Sequence, residues 1–474
     1  MGMGKEIDTS EFTAADFDAF ARRLAAETTL LGRQLDGGRF QALAQRGGFE
    51  LEAWLVDAAG RPAPCNDAFL ASLDSALVVP ELARFNVELN CAPQALAGAG
   101  LRRLHDDLQA NWAACTSAAA SLDARLAMIG ILPTATAADL VLENMSDLHR
   151  YRALNEQFLR LRGGAPTRLS IAGRDRLELT HAGVMLESLA TSFQIHLDTH
   201  PDRAVADFNA AVAVSAPLVA ATANSPYLLG HDLWCETRIP LFEQAVDVST
   251  GGGPQRVTFG HGYLERSVHE LFERNRRDFP VMLPVTRDTP DDALSHLCLH
   301  NGTIWRWNRP LIGFADDGRP QLRLEHRTLP AGPSVVDCIS NAALFFGLVR
   351  ALADARQPVA ERLPFATARA NFYRAARDGL AAELTWFDRR HGSATELFRT
   401  LLLPLAHRGL ERLEVDHASR DDYLEVIAAR VLGGRTGCAW QRAWVARHGR
   451  DMVGLAEAYL AQQARGRPVH EWEG

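Results

Sequence analysis

Alternating apolar and polar residues mark four strand-like segments along the chain. In residues 49–56, the apolar side chains share one face of an extended strand, whereas Glu50 and Glu52 share the other, because successive strand residues point to opposite sides. The same layout recurs in residues 85–90, 193–198 and 322–327. Their polar faces carry Asn86, Glu88 and Asn90, then Gln194, His196 and Asp198, and finally Arg323, Glu325 and Arg327. A mixed or antiparallel sheet could bring these faces side by side.

Helical periodicity separates the four strands. The predicted helices cover residues 9–31, capped by Thr9 or Ser10, then about 101–126 and 203–221, and a segment after Pro333 that runs through Val349. The glycine-rich residues 250–254 read as a loop. Beyond about residue 355 the pattern becomes continuously helical. We therefore predict an α+β catalytic domain over residues 1–355, followed by a helical C-terminal region over residues 356–474 that packs on it.

Composition excludes several classes of protein. The 474 residues are 47% hydrophobic and 23% charged, with a net charge of -8, so the chain should fold and should not attract nucleic acid or an anionic membrane. The seven cysteines include no CxxC pair, which is typical of reduced, cytosolic thiols. The acidic N-terminus indicates no signal peptide, and we expect no apolar run of membrane-spanning length. We expect a cytoplasmic protein.

The polar strand faces have two interpretations. Each could be the ordinary solvated side of a half-exposed strand. Their residue types favour a site instead, because they are rich in Glu and poor in the Lys and Thr of solvent faces. Several carboxylates on neighbouring strands repel one another unless cations lie between them. A divalent ion held by oxygen ligands would supply that charge, and nearby arginines would suit phosphate oxygens.

Other chemistries lack their sequence signatures. The chain contains no GxxxxGK[ST] phosphate loop, no GxGxxG dinucleotide motif, no HExxH and no GxSxG. The polar strands therefore remain the strongest functional signal in the sequence.

These strands and the segments around them resemble the glutamate-cysteine ligase family, in particular its second type, which includes bacterial carboxylate-amine ligases and plant enzymes. The matching segments are 48–52, 87–90 with Pro93, 192–198, 223–227, 236–238, 302–305 and 324–327. They occur in the family's order over roughly residues 45–350. The last hundred or so residues match nothing in this comparison.

The resemblance implies a fold and a set of site residues. The fold is related to glutamine synthetase, an α+β structure whose largely antiparallel sheet curves into a funnel with helices outside. Two or three Mg²⁺ ions, or Mn²⁺ in their place, would be held by Glu50, Glu52, Glu88, His196 and Glu325. Arg327 would contact the transferred phosphate, and Arg238 the phosphate or a substrate carboxylate. Gln194, Asn224 and Trp305 would line the pocket. A structural role in the sheet stays open for His196, and a core role for Trp305.

The resemblance also implies a reaction. ATP would phosphorylate a carboxylate, expected to be the γ-carboxylate of glutamate, and an amine such as cysteine would attack the acyl phosphate. The partners would be small molecules, with a homo-oligomer left open. Residues 240–300 match nothing that identifies the amine. Two alternatives remain: a guanidino phosphotransferase of related fold, and a nucleotide-binding pseudoenzyme that regulates a partner.

Overall fold

A curled antiparallel sheet forms the centre of the computed structural model, which describes residues 6–7, 9–41, 45–249 and 254–473. The strands are β1 (Arg46–Val56), β2 (Val78–Pro80), β3 (Asn86–Asn90), β4 (Gln94–Ala95), β5 (Arg125–Ala127), β6 (Thr167–Ala172), β7 (Arg176–His181), β8 (Ser192–Thr199), β9 (Tyr227–Leu228), β10 (His231–Asp232), β11 (Asn308–Phe314), β12 (Pro320–Pro330), β13 (Glu383–Thr385) and β14 (His391–Ser393). The central order is β11–β12–β8–β1–β3–β2, and β4 and β5 also pair with β1. The expected α+β fold with a largely antiparallel sheet is confirmed.

Helices surround this sheet. They are α1 (Ala14–Asp36), α2 (Asn66–Ser72), α3 (Gly100–Ala120), α4 (His149–Leu161), α5 (Pro201–Thr222), α6 (Arg238–Ala245), α7 (His269–Asp278), α8 (Ser295–Gly302), α9 (Val335–Ala353), α10 (Val359–Arg362), α11 (Phe365–Asp378), α12 (Ala394–Leu397), α13 (Leu403–Arg412), α14 (His417–Leu432), α15 (Gly437–His448) and α16 (Met452–Ala464). The predicted loop at residues 250–254 lies outside the described residues, except for Pro254.

Two predicted helix boundaries were wrong. The first helix does not start at Thr9 or Ser10, because Thr13 is its N-cap and forms a capping box with Asp16. The backbone N–H of Thr13 donates to Asp16 Oδ2 at 2.7 Å. The second predicted helix ends at Ala120, because residues 125–127 pair with β1 as a strand.

Strand register places the predicted polar residues on one face of the sheet. Glu50 on β1 lies opposite Asn90 on β3 and Gln194 on β8. In the same way Glu52 lies opposite Glu88, and Glu325 lies opposite His196. Partners in an antiparallel pair project to the same side. The other side is apolar, and α5 packs there against β12.

The helices α5 and α9 form the buried layer behind the sheet. Both are long and apolar enough, by length and composition alone, to cross a membrane, so the expectation of no such run was wrong. Their apolar windows are 89% and 94% buried inside the fold. They pack against each other, as core helices do, and their burial accounts for their composition.

The C-terminal helices pack tightly on α9. Gly347 on α9 meets Gly409 on α13 so closely that a Cβ added at Gly409 would lie 1.7 Å from the Gly347 carbonyl oxygen. Nearby, Arg430 on α14 is buried and its Nη2 lies 2.7 Å from Asp337 Oδ1. The predicted boundary at residue 355, between a catalytic domain and a helical C-terminal region, stays a prediction. All five candidate metal ligands precede that position.

Loss of the buried Arg430 charge should destabilise the protein strongly. Arg430→Met is expected to lower the free energy of unfolding by about 3–5 kcal/mol, because Asp337 would remain buried without its cation. Chemical denaturation at neutral pH measures this change. Arg399→Met is the matched control, since Arg399 pairs with Glu396 at the surface and such pairs contribute about 1 kcal/mol or less. Equal effects of the two substitutions would contradict the prediction.

A second stability prediction concerns Glu243 on α6. Burial raises the pKa of Glu243 to about 7 from 4.5, although Trp307 Nε1 and the Tyr373 hydroxyl donate to it at 2.8 and 2.9 Å. Because the folded state binds this proton more tightly than the unfolded state does, protonation of Glu243 stabilises the fold. This stabilisation is complete below pH 4.5 and is lost as the pH rises through 7. Glu243→Gln keeps an acceptor for both donors but cannot ionise. Between pH 5 and 8 the wild type should lose about 3 kcal/mol more than the variant. Denaturation curves at the two pH values test this, and parallel losses would contradict it.

Candidate active site

A pocket of about 350 Å³ opens on the polar face of the sheet. Its floor consists of charged and amide side chains from β1, β3, β8 and β12, and its lining also includes apolar residues such as Phe272 and Leu283. Seven of the predicted site residues line it: Glu50, Glu52, Glu88, Gln194, Trp305, Glu325 and Arg327. The predicted polar faces therefore meet in one cavity.

The first of two carboxylate groups on this floor consists of Glu50, His196 and Glu325. One ligand atom from each lies within 4.8 Å of the others. His196 Nε2 is 3.4 Å from Glu50 Oε1 and 3.6 Å from Glu325 Oε1. It is buried and has no hydrogen-bond partner in the described part of the chain. This places the imidazole nitrogen where it could share a metal ion with the two carboxylates.

The second group consists of Glu52, Glu81 and Glu88, whose oxygens also lie within 4.8 Å of one another. Burial, and then the charge of Glu81, raises the pKa of Glu52 to about 7. Burial and the charges of Glu50, Glu81 and Glu52 raise the pKa of Glu88 well above its usual value. These carboxyl groups therefore ionise less readily than exposed ones, despite the neighbouring arginines. A divalent cation would stabilise their charged forms.

Both groups fit a hard divalent metal. Carboxylate oxygens are the ligands that Mg²⁺ and Mn²⁺ prefer, and an imidazole nitrogen is tolerated better by Mn²⁺. The assignment of Glu50, Glu52, Glu88, His196 and Glu325 as metal ligands remains a proposal that these distances support.

Glu81 is a site residue that the sequence analysis missed. It follows β2, a three-residue strand whose last residue is Pro80, and so it belongs to no alternating pattern. The only signal was its position: a carboxylate directly after a short apolar strand. Pairing of β2 with β3 carries it beside Glu88.

Two arginines hold Glu325. Arg309 on β11, also missed, donates from Nε and Nη2 at 2.5 and 3.2 Å, and Arg327 Nη1 lies 3.1 Å away. Burial opposes ionisation, but the two guanidinium groups outweigh it and hold the pKa of Glu325 well below its usual value. This carboxylate is therefore charged, and its side chain is fixed on the pocket floor.

Arg327 connects the two carboxylate groups. Its Nη1 also donates to Gln194 Oε1, while Gln194 Nε2 donates to Glu52 Oε1 at 2.9 Å. The register of β12 against β8 shifts between His326 and Leu329. Such a bulge redirects the local side chains and is common beside active sites.

Besides His196, two predicted site residues lie outside the pocket lining. Arg238 is buried, and its Nη2 donates to the backbone oxygens of Arg327 and Thr328 at 3.1 and 2.6 Å. It therefore braces the backbone that carries Arg327. Asn224 is also buried and donates to the Ala331 carbonyl, so it connects elements behind the sheet. Trp305 lines the pocket but is only 6% exposed. It therefore belongs both to the pocket wall and to the buried core.

Comparison with known proteins places this geometry in context. A family model described as glutamate-cysteine ligase family 2 matches residues 46–461. The match includes most of residues 356–474, where the sequence analysis found no resemblance. No curated protein matches the sequence.

Two solved structures share the fold. A glutamate-cysteine ligase from Francisella tularensis, in complex with AMP, aligns with a TM-score of 0.55 at 11% identity over 89% of each chain. A bifunctional glutathione synthetase from Pasteurella multocida aligns with a TM-score of 0.54 at 12% identity, over 92% of this chain and 55% of that one. At such low identity these similarities establish the fold alone.

Proposed function

This chain belongs to glutamate-cysteine ligase family 2, and from that membership we propose that it joins the γ-carboxylate of glutamate to an amine such as cysteine at the expense of ATP. Family membership makes the chain an ATP-dependent carboxylate-amine ligase that uses a divalent metal. The choice of glutamate, cysteine and Mg²⁺ is our proposal. The observation that carries it is the convergence of two carboxylate groups and Arg327 on one pocket floor.

The chemical problem is that a carboxylate is a poor electrophile. Transfer of the γ-phosphoryl group of ATP to the carboxylate oxygen gives an acyl phosphate and ADP. The amine then attacks the acyl carbon, forms the amide and releases phosphate. Divalent metal held by the two carboxylate groups would neutralise phosphate charge when bound.

The described residues supply positioning and charge for these steps. Arg327 faces the pocket between the carboxylate groups, where its guanidinium would stabilise charge on the transferred phosphoryl oxygens. Arg309 fixes Glu325, and Gln194 fixes both Glu52 and Arg327. Arg238 stays in our proposal as a positioning residue rather than a phosphate contact, because it holds the backbone of Arg327.

An ADP-release screen tests the proposed function. The protein is incubated with ATP, Mg²⁺, one acid and one amine, beginning with glutamate and cysteine. ADP release that needs both acid and amine supports the ligase. Formation of a phosphoguanidine supports the phosphotransferase, and nucleotide binding without turnover supports the regulatory pseudoenzyme. Release with another acid would retain the ligase but overturn the choice of glutamate.

A further inference from the structure

The backbone that carries Arg327 lies in a bulge of β12. Two consecutive residues, Arg327 and Thr328, lie between two paired positions of β12 and β8, where β8 has only Gln194. The extra residue leaves the ladder of interstrand hydrogen bonds incomplete, and buried carbonyl groups then need another donor. The Arg327 N–H donates to the Trp307 carbonyl at 2.9 Å. The carbonyl groups of Arg327 and Thr328 are bound by a side chain from outside this sheet.

That side chain belongs to Arg238, the first residue of α6. Its Nη2 donates to the backbone oxygens of Arg327 and Thr328 at 3.1 and 2.6 Å. Its guanidinium carbon lies 5.3 Å from the centre of the Trp307 ring. A long, flexible side chain holds two carbonyl groups in a fixed geometry only if its own guanidinium group is fixed.

The carboxylate of Glu236 fixes this guanidinium group. Its Oε1 accepts from Arg238 Nε at 3.2 Å, and its Oε2 accepts from the Asn224 backbone N–H at 2.9 Å. The backbone of Glu236 is held as well, since its N–H donates to the Ala376 carbonyl at 2.8 Å. Glu236 is fully buried and lies outside the pocket lining. It therefore acts on a substrate only through the residues that it holds.

Resting on the proposed function, we propose that Glu236 is a positioning residue for phosphoryl transfer. Its carboxylate orients Arg238, Arg238 holds the bulge, and the bulge sets where the Arg327 guanidinium meets the transferred phosphoryl group. A buried ion pair adds little net stability, because the loss of hydration offsets the attraction between the charges. The pair supplies orientation instead. Since a misplacement of about 1 Å can lower a rate about a hundredfold, a residue outside the pocket controls turnover.

Substitutions of Glu236 test this role in steady-state kinetics. Glu236→Gln should lower kcat about tenfold or more and leave KM for ATP within about twofold, because a neutral amide keeps the shape but orients the guanidinium weakly. Glu236→Asp keeps the buried charge and shortens the side chain, so kcat should fall in a variant whose ion pair is retained. The matched control is Asp337→Asn, which breaks the buried pair with Arg430 and should lower thermal stability while leaving kcat within about twofold. Wild-type kcat in the folded Glu236 variants would overturn the proposal.

A double-mutant cycle separates positioning from a general structural effect. If Glu236 acts through Arg327, Glu236→Gln will lower kcat much less in an Arg327→Lys enzyme than in the wild type, because the group that it positions is already lost. Effects of the two substitutions that simply multiply would overturn the proposal, even if each single variant is slow.

Crystal structures of the wild type and of the Glu236 variants test the same inference without turnover. In the variants, Arg238 should release at least one of the two carbonyl groups, and the Arg327 guanidinium should move away from Gln194. This displacement supports the positioning role even if no acid and amine pair gives turnover, which would count against the proposed function alone. Unchanged contacts of Arg238 and Arg327 would overturn the positioning role even if the wild type proves to be a ligase.

Discussion

Glu52→Gln is expected to lower the rate of ADP formation by about three orders of magnitude or more while leaving the fold intact. Metal coordination contributes several kcal/mol to stabilising transferred charge, and each 1.4 kcal/mol corresponds to about tenfold in rate. Glu52 belongs to a group of three clustered carboxylates, and burial and the charge of Glu81 raise its pKa to about 7. The substitution keeps the shape of the side chain and removes its charge.

Local contacts of Glu52 argue that the variant will fold. Its carboxylate accepts from the Ser192 backbone N–H at 2.7 Å and from the Ser192 hydroxyl at 2.9 Å. A glutamine oxygen can still accept from the backbone N–H, and its amide can donate to the hydroxyl oxygen, but the hydrogen bond that Gln194 Nε2 donates to Oε1 is lost. The substitution also removes one buried negative charge from a group of carboxylates that repel one another. This relief of repulsion offsets the weaker contacts.

The measurement is the initial rate of ADP release at saturating ATP, Mg²⁺, acid and amine. Thermal unfolding and circular dichroism establish that Glu52→Gln is folded. Glu143→Gln, at an exposed position, serves as the control and should keep full activity. A folded Glu52→Gln enzyme with wild-type turnover and unchanged metal dependence would show that this carboxylate holds no metal.

Much of the central sheet could be predicted because strand patterning reports which side each residue faces. The alternation around Glu50, Glu88, His196 and Glu325 was enough to place all four on polar faces. Alternation does not encode which strands are neighbours. The chain places β8 between β1 and β12, and only that order brings His196 within reach of both Glu50 and Glu325.

Two of the missed pocket residues lie where no periodic pattern exists, whereas Arg309 lies on β11. Glu81 follows a three-residue strand, and Glu187 lies in a 3-10 segment, so neither belongs to an alternating run. Arg238 and Asn224 were predicted as site residues, but neither lines the pocket. Their segments match the family, but the sequence does not reveal that both side chains are buried behind the sheet and bind backbone oxygens.

Arg327 distinguishes catalysis from simple metal binding, because its side chain faces the pocket without being a metal ligand. Burial opposes its charge, but Glu325, Glu52 and Glu50 outweigh this and raise its pKa. The guanidinium is therefore charged throughout the reaction. Its Nη1 is occupied by Glu325 and Gln194, and its Nε is buried without a partner in the described structure. The fixed fork can thus present its remaining N–H groups to a phosphoryl oxygen.

Arg327→Lys should keep Mg·ATP binding nearly unchanged and lower kcat by about two orders of magnitude or more. A lysine retains the positive charge near Glu325 but has no planar fork, so it cannot hold Gln194 and a phosphoryl oxygen in fixed geometry at once. Loss of one preorganised donor to transition-state charge typically has this effect. Steady-state kinetics with the best acid and amine measure kcat, and calorimetry measures Mg·ATP affinity. If Arg327 only braces the sheet, the lysine variant will lose thermal stability while its kcat stays at the wild-type value.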